Sequence, residues 1–99
     1  MNTNAREFLE KSVGVLSLGK TLRAIRLSDE EAQTAFAKKI GISVQYLCDL
    51  EHDRKIVSPK KAQEFAKCLG YPHEQFVALA LQDSLNHYNI PMHVEVTAA

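Results

Sequence analysis

The stretch Gln33-Thr34-Ala35-Phe36-Ala37-Lys38-Lys39-Ile40-Gly41-Ile42-Ser43-Val44-Gln45-Tyr46-Leu47-Cys48-Asp49-Leu50 decides the fold. Gln33 to Ile40 reads as a helix stopped by Gly41, a residue that takes the left-handed conformation a helix C-terminus needs. Ser43 is placed to cap a second helix running to Glu51. Two helices that meet near a right angle over a tight turn need a small residue at the crossing, a glycine in the turn and apolar inward positions. Ala37 is the small residue, Gly41 is the turn, and Phe36, Ile40, Ile42, Leu47 and Leu50 are the inward set. A chance helical hairpin meets only some of these requirements, whereas this stretch meets all seven.

Helical patterns continue on both sides. Asn4 with Glu7 has the spacing of a capping box, which predicts a short first helix ending near Gly14. Leu18, Leu22 and Ile25 predict a helix from Ser17 to about Leu27. Ser58-Pro59 supplies an N-cap and a proline at the first helical position. The series Ala62, Phe65, Ala66, Leu69 then follows at helical spacing until Gly70. Pro72 opens a further helix, His73 to about Asn86, with Phe76, Leu79 and Ala80 on one side. Beyond it, Tyr88, Ile90, Met92, Val94 and Val96 alternate with polar residues and Pro91, a period of two that predicts a strand. No other strand pattern exists to pair with it, so the expected partner is a second copy of the chain; a disordered tail is the alternative.

The expected architecture is all-α. Residues 1–16 form an N-terminal helical extension, residues 17–86 a five-helix domain, and residues 87–99 a terminal strand or tail pairing across a dimer. Ninety-nine residues, 45% of them apolar, suffice for one core. No apolar run approaches the ~20 residues of a membrane span, and the N-terminus lacks a signal-peptide pattern, so a cytoplasmic protein is expected. Cys48 and Cys68 show no metal-ligand spacing and read as reduced thiols, with Cys68 expected to pack in the core. Charge is balanced overall but not along the chain. Residues 20–67 carry ten basic and seven acidic side chains, whereas residues 68–99 carry three acidic and no basic ones. A basic middle with an acidic tail suits a nucleic-acid face backed by a different surface.

The pattern Gln33-x-x-Phe36-Ala37-x-x-Ile40-Gly41-Ile42-Ser43-x-x-Tyr46-Leu47-x-x-Leu50-Glu51, followed by Pro59 and Phe65-Ala66-x-x-Leu69-Gly70, resembles the phage Cro/repressor-type (XRE) helix-turn-helix family. The similarity extends over about Leu18 to Leu81. It implies a repressor-like DNA-binding domain that acts as a homodimer on double-stranded operator DNA, usually as a repressor. In that docking mode the second helix of the motif presents its N-terminal residues to base edges in the major groove. Val44, Gln45, Cys48 and Asp49 fall on one face of it, opposite Leu47 and Leu50. Gln45 is suited to an adenine edge, Val44 to a thymine methyl, and Asp49 to a cytosine amino group. Cys48 is small enough to lie against DNA. Gln33 resembles the family residue that bonds a backbone phosphate, and Ser43, Tyr46, Arg54 and Lys55 are expected phosphate contacts around the same groove.

Each assignment has a plainer counterpart. Gln45 and Asp49 are also ordinary solvated helix residues, and Tyr46 fits equally over the core edge. Arg26 and Glu51 resemble a family pair that joins the first conserved helix to the reading helix through a salt bridge. Three positions depart from the family pattern. Ala32 stands where a capping Ser or Thr is usual, with Asp29 as an alternative start. Asp53 stands where a glycine turn is common. The loop from Lys55 to Ser58 is slightly long.

Other functions are less well supported. The four histidines lack H-x-x-x-H or H-E-x-x-H spacing, and no GxSxG or glycine-rich phosphate loop occurs. Catalysis, a cofactor and a metal are therefore not expected. The main rival is an antitoxin that binds a toxin protein and represses its own operon, with residues 1–16 and 82–99 as the contact. A repressor of a phage or mobile element, with no such partner, is a third reading.

Overall fold

The computed structural model describes residues 16–99, which form five helices and no strand. They are α1 (Leu18–Ser28), α2 (Gln33–Ile40), α3 (Val44–Glu51), α4 (Pro59–Leu69) and α5 (His73–His87). The helix expected after Asn4 lies outside the described residues. Helix starts follow local chemistry. The hydroxyls of Ser17, Ser43 and Ser58 accept hydrogen bonds from the N–H groups of Lys20, Tyr46 and Lys61, each three residues on, and so satisfy donors that the helix itself cannot. Ala32 precedes α2 without a side-chain cap. Asp29 does not start that helix; it is the C-cap of α1.

All five described helices end the same way. Glu30, Gly41, Asp53, Gly70 and Asn89 have positive φ, and the next residue's N–H returns to a carbonyl five positions back. The pairs are Glu31 to Arg26, Ile42 to Ala37, Arg54 to Asp49, Tyr71 to Ala66 and Ile90 to Leu85. This closes off carbonyls left open at a helix terminus. Asp53, at φ 57°, takes the left-handed turn where the family commonly has glycine.

Phe36, Phe65 and Phe76 are fully buried, one each from α2, α4 and α5, and are surrounded by Leu18, Leu22, Ile25, Leu47, Leu50 and Val57. α4 packs along α5, while α1 and α2 both pack against α3. At Gly19 the backbone of α1 meets the carbonyl of Leu50 so closely that a Cβ would overlap it. The two helices therefore touch main chain to main chain. Cys68 corrects the expectation of a core residue, because it is exposed. It stands between the inward rows set by Phe65, Ala66 and Leu69 and turns away from them.

The expected strand is absent: residues 90–99 have no regular structure. After Pro91 the chain turns back along α5, with Met92 N–H bonded to Ile90 C=O at 2.8 Å. The Gln82 amide then holds it at two points, donating to Met92 C=O at 2.9 Å and accepting from Val94 N–H at 2.8 Å. A single chain offers this segment no sheet edge, so a side-chain amide stands in for one. No described helix is long and apolar enough to cross a membrane.

Candidate nucleic-acid interface

Helix α3 is fixed from behind and open in front. Its rear face, Leu47 and Leu50, is buried. Its C-terminal end is anchored by Glu51, a carboxylate with 1% of its area exposed. Arg26 grips both oxygens of Glu51, Nε to Oε2 at 2.7 Å and Nη2 to Oε1 at 2.9 Å, and its Nη1 donates to Glu31 C=O at 3.0 Å. Burial alone would raise the Glu51 pKa. The hydrogen bonds from Arg26 and Gln33 outweigh it and hold the group below its ordinary value. Lys20 Nζ adds a bond to the Glu51 carbonyl at 2.9 Å, a cation placed where the helix dipole is negative. The pair expected between Arg26 and Glu51 is thus present as a bidentate bridge.

On the front face Val44 is 40% exposed and Gln45 is exposed, while Cys48 and Asp49 are half-buried. The four residues do lie together. They are not independent of one another or of the following loop. Asp49 Oδ1 accepts from Arg54 Nε at 2.9 Å and from Gln45 Nε2 at 3.1 Å. Its Oδ2 lies 3.5 Å from Lys55 Nζ. The Arg54 hydrogen bond, with that of Gln45 beside it, keeps the Asp49 carboxyl below its usual range, and the same contact raises Arg54. Arg54 Nη2 also reaches Cys48 Sγ at 3.4 Å.

The expected phosphate contacts divide. Ser43 is exposed with its hydroxyl occupied as the N-cap. Arg54 and Lys55 flank the C-terminal side of the face and remain about half exposed despite the pairing with Asp49. Tyr46 is half-buried against the core edge, with Lys55 Nζ 5.8 Å from its ring centre. Gln33 is engaged inside the protein, where Nε2 donates to Glu51 Oε1 at 3.0 Å. Sequence reasoning missed the Gln45–Asp49–Arg54 network. The i, i+4 spacing of Gln45 and Asp49 was the available signal, since such pairs face each other on a helix.

A family model described as helix-turn-helix matches residues 22–76. That range contains α2, α3 and the whole network around Asp49. No curated protein and no solved structure matches the chain.

Proposed function

This chain belongs to the XRE-type helix-turn-helix family of DNA-binding regulators, and from that premise we propose that it binds an inverted-repeat operator as a homodimer and represses transcription there. One observation carries the reading of the site: α3 is anchored at its C-terminal end and rear face while Val44 and Gln45 at its N-terminal end stand exposed. A rigid helix with a free N-terminal face is what major-groove reading requires. In this reading Gln45 is the principal base contact, with Val44 against a thymine methyl and Cys48 close to the DNA. Ser43, Arg54 and Lys55 hold the phosphates on either side, and Gln33 and Tyr46 border them. A dimer would set two such helices about 34 Å apart, one turn of DNA.

The second face of the molecule supports protein contact. Tyr88, Ile90 and Met92 are exposed apolar side chains near the end of α5, with relative exposures of 67%, 37% and 68%. We assign this patch to the dimer partner, with the tail from Met92 onward pairing with its counterpart. The antitoxin reading rests on the same patch being covered by a toxin protein instead.

Selection of bound sequences from a random DNA pool tests the function. The expected result is a pair of inverted half-sites whose binding weakens steeply with added salt. Enrichment of no sequence, or binding indifferent to salt, overturns the reading.

A further inference from the structure

We infer that Asp49 reads no base itself and instead acts as the positioning residue that commits Gln45 to adenine, so that each half-site carries an A·T pair beneath Gln45. The inference rests on the reading of α3 as the helix that enters the groove.

Hydrogen-bond capacity carries the argument. An ionised carboxylate only accepts, so the Gln45 amide that meets Asp49 Oδ1 at 3.1 Å turns its nitrogen toward it. Its carbonyl oxygen is therefore turned away from Asp49. One N–H is spent on Asp49, and one N–H plus Oε1 remain for an outside partner. Adenine offers an N6 donor and an N7 acceptor in the major groove, which match that remaining pair. Guanine offers two acceptors, O6 and N7, and would need both amide hydrogens. Cytosine and thymine offer no such donor–acceptor edge. A free glutamine can swing between these options, whereas the glutamine held by Asp49 cannot.

Asp49 is itself poorly placed to read a base. Its side chain is 13% exposed, covered by Arg54 and Lys55. Oδ1 already accepts two hydrogen bonds and Oδ2 faces a lysine. A cytosine amino group would have to displace one of these. The two cations also neutralise a negative charge that would otherwise repel phosphate on this face. The same carboxylate thus orients the reader and holds Arg54 beside it.

These roles move affinity and preference in opposite directions, which general loss of structure would not do. Asp49→Ala removes a negative charge and frees Arg54, so binding to random-sequence DNA should be equal or tighter. Its preference for A·T over G·C at the Gln45 position, expected to be about 5- to 100-fold in the native protein, should fall at least about fivefold. The experiment is pool selection with the native chain, Asp49→Ala, Gln45→Ala and the double variant. In the Gln45→Ala background, adding Asp49→Ala should change no base preference. An Asp49→Ala protein that keeps its adenine preference overturns the inference. So does a double variant that loses a cytosine preference still present in Gln45→Ala, because Asp49 would then be reading directly. Enrichment of no sequence by the native chain overturns the DNA-reading assignment, and this inference falls with it.

Discussion

Glu51 shows how much one buried charge constrains its neighbours. Its carboxylate is held by Arg26 twice and by Gln33 once, so removing one partner leaves an anion in the interior with too few donors. Arg26→Ala should lower unfolding stability by about 3 kcal/mol, measured by urea titration, since breaking a buried pair costs far more than an exposed one. The sign of the pH effect follows from the depressed pKa. Glu51 contributes fully above its ordinary value of 4.5, and that contribution is lost as pH falls through the lower folded value. Glu51→Gln should therefore flatten the loss of stability on acidification below pH 4.5, read from melting temperature against pH. The family resemblance suggested the Arg26–Glu51 bridge. It did not show that Gln33 would join, because a glutamine at a helix start serves a phosphate or an interior carboxylate equally well.

At the level of the helices, the contact between α1 and α3 depends on an absent side chain. Gly19→Ala would drive a Cβ into the Leu50 carbonyl, and backbone on both sides leaves nothing flexible to yield. A loss of about 3 kcal/mol or more is expected in thermal unfolding. Gly41, by contrast, has open space around its Cα and is constrained by its φ of 77°. That difference explains what could be read beforehand. Gly41 and Gly70 announced the ends of α2 and α4 because left-handed φ is a local property with a residue signature. Gly19 announced nothing, because close approach depends on Leu50, more than thirty residues away in sequence. The ends of α1 and α5 use Glu30 and Asn89 in the same left-handed turn, with weak signatures or none. Glu30 is exposed and carries the conformational cost of an L-residue at φ 54°. Glu30→Gly should raise stability by about 1 kcal/mol in the same assay.

Across the whole molecule, three distant segments meet where α1 begins. Ser17 Oγ donates to Asp53 Oδ1 at 2.5 Å, Lys20 Nζ lies 3.9 Å from Asp53 Oδ2, and Asp83 Oδ2 accepts from Leu18 N–H at 2.9 Å. Burial pushes the Asp83 carboxyl up to about 6 from its ordinary 3.8, against the Leu18 hydrogen bond and with help from the Asp53 charge. A raised carboxyl pKa means that the folded chain binds the extra proton, so this group favours folding increasingly as pH falls from about 6 toward 3.8. Asp83→Asn keeps an oxygen for Leu18 and removes the buried charge, and with it the repulsion from Asp53. It should add on the order of 1–2 kcal/mol at pH 7.5 and abolish that slope, both visible in urea titrations across pH. The alternating tail was read as a strand awaiting a second copy of the chain, and in the single chain it has no regular structure, because alternation states which side chains share a face but supplies no neighbouring edge. Deleting residues 92–99 leaves the Ile90 cap on α5 intact. Sedimentation should then show weakened dimers; dimers that survive unchanged would place the interface on the exposed patch at Tyr88 and Ile90.

The Leu18–Asp83 bond also makes one amide a local reporter of a global event. Leu18 N–H belongs to the first turn of α1, where backbone amides ordinarily exchange with solvent almost freely, yet its acceptor lies 65 residues away on α5. Its hydrogen exchange should run at the pace at which the last helix undocks, not at the pace of fraying at its own helix end. A single slow proton in the first turn of α1 would thus time the detachment of α5, the helix that carries the surface proposed for a second copy of the chain.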